Sequence, residues 1–548
     1  MSDLVPSAHI DTFVADRLPP RDLWPVRDWT GIPELAYPDR LNCAAELLDT
    51  TARGGRASAP VIHWPDGRWS YEDLLVNANR IAHVLVDDLG LVPGNRVLLR
   101  APNSPMLAAC WFAVLKAGGI VVCTMPLLRE RELQDVADKA EITLALTDTR
   151  IAAECEAAFR TRRDGSPRHG GRVVHFNCDD PGGLETRMRS KSPTFVNCET
   201  AADDVALIAF TSGTTGRGKG TVHSHRDVLA ITDCFPRYVL APSPDDIFVG
   251  SPPLAFTYAL GGLLLFPMRF GASALRHEQA TPPKLIEAIV KYRPTVCFTA
   301  PTAYRAMGAM LAHHDVSSLR KCVSAGEHLP RGVFDEWKRA TGIAIIDGIG
   351  ATEMLHIFIS ASGDDIRPGS TGKVVPGYRA RIVDDDGNEV PDGTVGRLAV
   401  RGPTGCRYLD DVARQREYVQ HGWNLTGDSF SRDTDGYYWY QARTDDMIIS
   451  AGYNIAGPEV ENVLLEHDGV AECAVIGARD EERGQIVKAV VVLRPGYVGD
   501  EQLTKELQDF VKARIAPYKY PRAIEFAVAL PRTATGKLQR YRLRETDT

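Results

Sequence analysis

The sequence contains no apolar run long enough to cross a membrane. Its most hydrophobic stretch, residues 259–268, is ten residues long and reads as core, whereas a spanning helix needs about 20. The first residues, MSDLVPSAHIDTF, lack the basic segment and apolar segment of a secretory leader. Eleven cysteines are scattered from Cys43 to Cys473 without one C-x-x-C pair. Odd number and irregular spacing exclude a disulfide framework or a zinc ribbon and fit reduced thiols in the cytoplasm. There is no long basic run, and the net charge is −8, which excludes an electrostatic nucleic-acid surface. No internal repeat is present. These absences predict a cytoplasmic protein with neither membrane nor nucleic acid as partner.

What is present is an ordinary globular balance, 44% hydrophobic and 24% charged over 548 residues. Helical and strand-like patterns alternate through the first 440 residues. Helices are predicted over 71–86 and 106–117, and strands over 96–99 and 120–123. Such alternation predicts α/β layers with largely parallel sheets. Residues 161–171, TRRDGSPRHGG, read as a surface loop. From 374 to 400 short β-branched runs are separated by D-D-G-N and P-D-G turns, which predicts antiparallel hairpins. After residue 444 a helix (458–466), two strands (471–477 and 487–493) and a helix (500–514) form an α+β unit.

The segment 211–221, TSGTTGRGKGT, carries the clearest chemistry. An apolar run, 205–210, precedes it and reads as a buried strand. A helix is expected to follow, with Ser224 and Asp227 placed as a capping box. Glycines let backbone N–H groups curl around an anion, hydroxyls add donors, and Lys219 adds charge. The object bound is a polyphosphate. The spacing approaches that of the NTPase phosphate loop, but the Ser or Thr that holds magnesium there is replaced by Gly220. The metal ligand must lie elsewhere. In DGIGATEM, residues 347–354, Glu353 offers a carboxylate and Thr352 a hydroxyl beside two glycines, and a hard cation takes oxygen ligands. Asp428 and Arg443 flank a Tyr/Trp-rich strand. The pair suits a ribose diol, and equally a hairpin turn with a structural ion pair. PRTATGKLQR, 531–540, presents Lys537 on a turn.

Together these segments resemble the adenylate-forming superfamily of acyl-CoA synthetases, nonribosomal adenylation domains and luciferases. The carrying motifs are TSGTTGRGKG, SAGE (324–327), DGIGATEM, TGD (426–428), ARTDDMIISAGYNI (442–455) and PRTATGKL. The resemblance implies a large N-terminal domain of layered α/β subdomains, residues 1–444, with a small β unit at about 374–440, and a mobile small α+β C-terminal domain, 445–548, hinged at Asp445.

It also implies a reaction. ATP and a carboxylic acid give an acyl-adenylate and pyrophosphate, and coenzyme A then displaces AMP. Thr211, Ser212, Gly213, Thr214, Thr215, Gly216 and Lys219 would hold phosphates, and Thr352 the α-phosphate. Glu353 would bind Mg²⁺. Gly326, Glu327, Asp347, Gly348 and Ile349 would complete the nucleotide site, with Asp428 and Arg443 on the ribose. Lys537 would bridge carboxylate and phosphate oxygens in the first step. After rotation of the C-terminal domain, Gly452, Tyr453 and Asn454 would line the pantetheine tunnel. Ala442 stands where glycine is usual, and Asn454 where some relatives carry a basic residue.

The acid reads as aromatic. Residues 254–268 and 351–360 look like the benzoate-CoA ligase branch, and SAHIDTFVADRLPPRDLWP with LNCAAELLD like 2-aminobenzoate-CoA ligases. Phe256, Tyr258, Ala325, Ile349 and Gly350 would wall a flat pocket, and His356 would bond a ring substituent or the carboxylate. The expected acid is 2-aminobenzoate or a hydroxylated relative, with salicylate and benzoate as alternatives. A carrier-protein phosphopantetheine is the alternative acceptor. The protein is expected as a monomer or homodimer.

Overall fold

The structure is a computed structural model that describes residues 5–211, 218–278, 280–443, 446–450, 453–480, 483–515, 517–532 and 538–545. Ser212, Gly213, Thr214, Thr215, Gly216, Asp445, Gly452 and Lys537 lie outside the described residues.

Among the described residues four sheets organise the chain. The first has nine strands in the spatial order Lys373–Val374, Ile357–Ser360, Ile345–Gly350, Lys321–Ala325, Val296–Thr299, Ile247–Gly250, Ser273–Leu275, Pro60–Trp64 and Gly67–Ser70. From Ile345–Gly350 to Pro60–Trp64 all neighbours are parallel. The second has six strands, Arg172–Phe176, Leu144–Asp148, Arg96–Arg100, Ile120–Thr124, Val205–Thr211 and Lys219–Ser224, antiparallel only at the last pair. Arg96–Arg100 and Leu144–Asp148 are buried along their whole length. That is the expected behaviour of parallel strands covered on both faces.

Helices begin where the sequence signals them. Ser70 with Asp73 and Ser224 with Asp227 form capping boxes before Tyr71–His83 and His225–Asp233. Ser104 accepts from the Leu107 N–H, and Pro105 occupies the first turn of Pro105–Lys116. The apolar stretch 259–268 lies in helical turns from Thr257 to Arg269, most of it fully buried. No helix of the described residues is long and apolar enough to cross a membrane.

The third sheet is antiparallel and contains Arg379–Val383, Gly396–Arg401, Trp423–Arg432, Val419–Gln420 and Tyr438–Arg443. It is the expected hairpin unit, except that Val374 pairs with Ile359 and so belongs to the nine-stranded sheet. The loop 161–171 is closed by a bridge between Thr161 and Pro167 and anchored by buried Arg168, which pairs with Asp138 at 2.6 Å. The C-terminal domain contains Gly457–Leu464, Val470–Asp480, Gly484–Leu493 and Glu501–Lys512 around its own core, with Ala523–Phe526 parallel to Gly484–Leu493. The fold is mixed α/β, with a large N-terminal and a small C-terminal domain. All eleven cysteines are free, and none is exposed.

Candidate active site

The SAGE and DGIGATEM segments emerge side by side. Ser324 pairs with Asp347 and Ala325 with Gly348 on parallel strands. Both segments therefore leave the sheet at its carboxyl edge, where open α/β sheets bind ligands. Gly326 takes a positive φ of 89° to make the turn into Glu327. After Ile349 the ladder shifts register, and Gly350 faces Ile357. A Cβ on Gly350 would stand 2.7 Å from the His356 carbonyl oxygen, so glycine is required by that close approach. Thr352–Met354 forms one 3-10 turn, which ends at Leu355 with φ 68°, an uncommon value for a branched side chain.

Two contacts fix this turn. The carbonyl of Thr352 accepts from Nε2 of buried His223 at 2.8 Å, and Oε1 of Glu353 accepts from the Tyr408 hydroxyl at 2.6 Å. His223 lies on Lys219–Ser224, and residues 407–409 run beside that strand, with Val222 N–H on the Arg407 carbonyl and Leu409 N–H on the Gly220 carbonyl. Below them Asp227 is fully buried. Burial opposes its ionisation, but Arg27 at 3.0 Å, with His223 and Arg407 nearby, outweighs this and holds its carboxyl well below the usual range. No sequence pattern singled out His223, Tyr408 or Asp227's role there. Their signal is pairing between strands some 180 residues apart.

The strand before the phosphate-loop segment and the capped helix from His225 are as expected, and an unforeseen strand lies between them. The segment joins Val205–Thr211 to an antiparallel return strand, Lys219–Ser224, with Thr211 opposite Lys219, and the capped helix follows only at His225. The strands on either side of it thus pair with each other, and the helix does not follow the segment directly. Lys219, first in the return strand, is half-buried. Burial and the nearby Arg414 and Arg443 lower its ammonium from the ordinary value, while Glu353 and Asp411 act the other way. Tyr408, bridged to Thr221 on the Lys219 strand, bonds Glu353, so Lys219 and Glu353 lie near one another, with Arg443 within electrostatic reach of Lys219.

Asp428 and Arg443 face each other across the antiparallel pair, Nη1 to Oδ1 at 3.2 Å. Gly427 sits beneath with φ 75°, and a Cβ there would stand 2.9 Å from Nη2 of Arg443. Next to them Tyr440 stacks on His328, centroids 5.3 Å apart. Asn462 of the C-terminal domain reaches His328 at 3.4 Å, and Arg305 donates to the Ala471 carbonyl at 3.2 Å. The C-terminal domain therefore packs where the SAGE segment of the nine-stranded sheet meets Tyr440 of the antiparallel sheet that carries Asp428 and Arg443.

Of the aryl-pocket candidates, Tyr258 donates to the Val323 and Thr299 carbonyls at 3.0 and 3.3 Å, and burial raises its hydroxyl well above the ordinary value. Phe256 is half-buried just before Thr257–Ala259. His356 is 3% exposed among Phe235, Tyr258 and Phe266, ring centroids 4.5–5.9 Å away. Its Nε2 is 3.2 Å from the Tyr258 carbonyl, which fixes the proton on that nitrogen, and Nδ1 is buried without a partner. Burial lowers the imidazole to about 3. Asp347 goes the other way. Burial raises its carboxyl to about 8, so it is neutral at pH 7.

Glu353 suits a hard cation. Tyr408 engages only Oε1, and no other described residue bonds the carboxylate, which leaves Oε2 available. Among the described residues no cluster of three or more metal-ligating side chains exists. A cation here would rely on phosphate oxygens for its remaining ligands.

The chain was compared with known proteins. Residues 48–408 match the AMP-binding enzyme family model and residues 459–537 the AMP-binding enzyme C-terminal domain. The benzoate-CoA ligase of Thauera aromatica is 34% identical over 520 residues, covering 93% of this chain and 97% of that one. The crystal structure of the anthranilate CoA ligase AuaEII in complex with anthranoyl-AMP superposes with a TM-score of 0.88 at 33% identity, over 94% of this chain and 99% of that one. A benzoate CoA ligase from Burkholderia xenovorans LB400 gives 0.83 at 32% identity, over 92% and 100%. By both domain matches and by these likenesses, the chain belongs to the AMP-binding, adenylate-forming enzymes, in their acyl- and aryl-CoA ligase branch.

Proposed function

We propose that the protein joins 2-aminobenzoate, or a hydroxylated relative, to coenzyme A through an aryl-adenylate, releasing pyrophosphate and AMP. The observation that carries this reading is the convergence of Lys219, Glu353 and the Asp428–Arg443 pair at the carboxyl edge that presents Gly348–Gly350. An aromatic acid is supported by the ring cluster of Tyr258, Phe266 and His356 and by the likeness to the ligase holding anthranoyl-AMP.

A carboxylate is a poor electrophile, and transfer to the α-phosphate gives it a good leaving group. The segment 212–217, with Thr211 and Lys219 flanking it, cradles the departing pyrophosphate, and the Thr352 hydroxyl donates to the α-phosphate. Glu353 through Oε2 holds Mg²⁺, which when bound neutralises phosphate charge. Asp428 accepts from the ribose hydroxyls, and Arg443 orients Asp428. Lys537 meets the carboxylate and phosphate oxygens, where charge builds in the transition state. The boundary between residues 444 and 445, with Asp445 as hinge, lets 445–548 turn and bring Gly452, Tyr453 and Asn454 to the thiol's path. A cytoplasmic location is part of this proposal, supported by eleven free cysteines.

The test is pyrophosphate release across a panel of substituted benzoates and straight-chain acids, followed by mass analysis with coenzyme A. The highest kcat/KM is expected for a 2-amino acid, with an aryl-CoA mass. A straight-chain acid as best substrate would sink the aromatic reading. Pyrophosphate release without thioester would turn the assignment to carrier-protein loading.

A further inference from the structure

A second cavity lies elsewhere on the nine-stranded sheet. Its volume is about 490 Å³, and it opens at the carboxyl ends of Pro60–Trp64 and Ser273–Leu275. Trp64 and Arg276, the last residue of one strand and the first after the other, form part of its wall. Asn103, Ser104 and Pro105 close it from the six-stranded sheet. Crevices at strand carboxyl ends are where doubly wound sheets take ligands.

Arg276 is the unusual group. It is 2% exposed, and Nε and Nη1 are both buried without a hydrogen-bond partner. No carboxylate among the described residues pairs with it. Most other cavity charges are matched: Arg150 pairs with Glu278 at 2.7 Å and with Asp148, and Lys284 with Glu287 at 3.1 Å, while Lys291 lies over the Tyr292 ring and Asp66 completes the charged lining. Burial alone acts on Arg276 and lowers its guanidinium to about 9. A buried cation with neither counter-charge nor acceptor is costly, and proteins keep such a group where something else supplies the anion. Two further features face the same space. Nδ1 of His277 is buried and unpartnered. The twelve-residue helix Pro105–Lys116 presents its N-terminal end there, and such ends favour anions. Trp64 and Tyr292 add aromatic faces to the wall.

We propose that this cavity is a second anion site, built for the phosphate group of a small ligand, with Arg276 as its principal contact and His277 and the Ser104–Pro105 helix end beside it. Arg276 follows a strand four spacings from Ile345–Gly350, about 19 Å across the sheet. The phosphates that meet Thr352 cannot also fill it. Two sources carry the required chemistry: the phosphates of coenzyme A, which rests on the function proposed above, and a free phosphate or phosphorylated metabolite, which does not.

The experiment compares full-length wild type with Arg276→Met and Arg276→Lys, using inorganic phosphate, coenzyme A and dephospho-coenzyme A as probes in calorimetric titrations and thermal unfolding. Wild type is expected to bind at least one phosphate-bearing probe about tenfold or more tightly than Arg276→Met, with Arg276→Lys between them. Without probe, Arg276→Met should unfold at the same or a higher temperature, because an unpaired charge has been removed. A raised KM for coenzyme A in Arg276→Met, with aryl-adenylate formation unchanged, assigns the site to coenzyme A. A loss confined to inorganic phosphate assigns it to a free phosphate ligand, and the ligase reading stands apart from that result. Equal binding of all three probes by wild type and Arg276→Met overturns the proposal. Should that variant fail to fold, His277→Gln supplies the same comparison.

Discussion

Tyr408 donates its hydroxyl to Oε1 of Glu353 at 2.6 Å, across 55 positions of chain. The bond holds the carboxylate on a one-turn 3-10 segment that offers little support of its own. Tyr408→Phe keeps the packing and removes the donor. A hydrogen bond to a charged group contributes about 1.5–3 kcal/mol, so the magnesium concentration for half-maximal pyrophosphate release should rise about tenfold or more. Thermal stability should change little. An unchanged magnesium dependence would show that Glu353 is positioned without Tyr408.

Glu353 itself should be less replaceable. Glu353→Gln retains shape and loses charge, and adenylate formation should fall by about two to three orders of magnitude, the usual scale for losing one preorganised electrostatic group. Titration of magnesium should not restore it. Recovery at high magnesium would mean that the carboxylate only raises affinity.

Gly427 gives a test of the Asp428–Arg443 pair that touches neither residue. Alanine there meets the Arg443 guanidinium at 2.9 Å and adopts a φ of 75°, a conformation that costs roughly 1 kcal/mol or more for a non-glycine residue. Gly427→Ala should raise the KM for ATP several-fold while the KM for the acid is nearly unchanged. Equal effects on both would place the pair outside the ribose site.

Under the proposed mechanism, Lys537 and Gly452 serve different half-reactions. Lys537→Ala should abolish pyrophosphate release yet still convert supplied aryl-adenylate to thioester. Gly452→Leu should do the reverse. Loss of the same half-reaction in both variants would count against domain alternation.

His356 sets an acid limit. Its folded value of about 3 lies below the ordinary 6.5, so the unfolded chain binds the extra proton. The stability His356 contributes is complete above pH 6.5 and is lost as pH falls towards 3. Between pH 6.5 and 5 the loss is about 2 kcal/mol from this group. Urea unfolding of wild type and His356→Asn should converge by that amount over the interval. Parallel curves would mean that the ring is already solvated.

Local chemistry was readable along the chain, and long-range pairing was not. Ser224 and Asp227 announced their capping box because its signal is contained in four residues. Glycines at 348 and 350 announced a close approach that the His356 carbonyl and the Ile357 side chain impose. By contrast, Lys219–Ser224 was hidden. Glycine, threonine and lysine form no apolar alternation, and the strand exists because it pairs with Val205–Thr211 on one side and residues 407–409 on the other. His223 and Tyr408 were hidden with it, since each acts only through a neighbour brought by that pairing. The burial of His356 was likewise invisible, because rings from two other segments, Phe235 on one and Tyr258 and Phe266 on the other, enclose it.

An acyl-adenylate is an aggressive acylating agent, and this enzyme must deliver it to a thiol that is not its own. Of its eleven cysteines eight are buried and Cys123, Cys178 and Cys198 partly so, and burial raises every one above the ordinary thiol value, Cys123, Cys155 and Cys297 to about 12. Since the thiolate is the nucleophilic form, the protein presents almost no competing thiol acceptor at neutral pH. Self-acylation and mixed disulfides with its own thiol substrate are suppressed by packing alone, and the protein should tolerate idle turnover without inactivating itself.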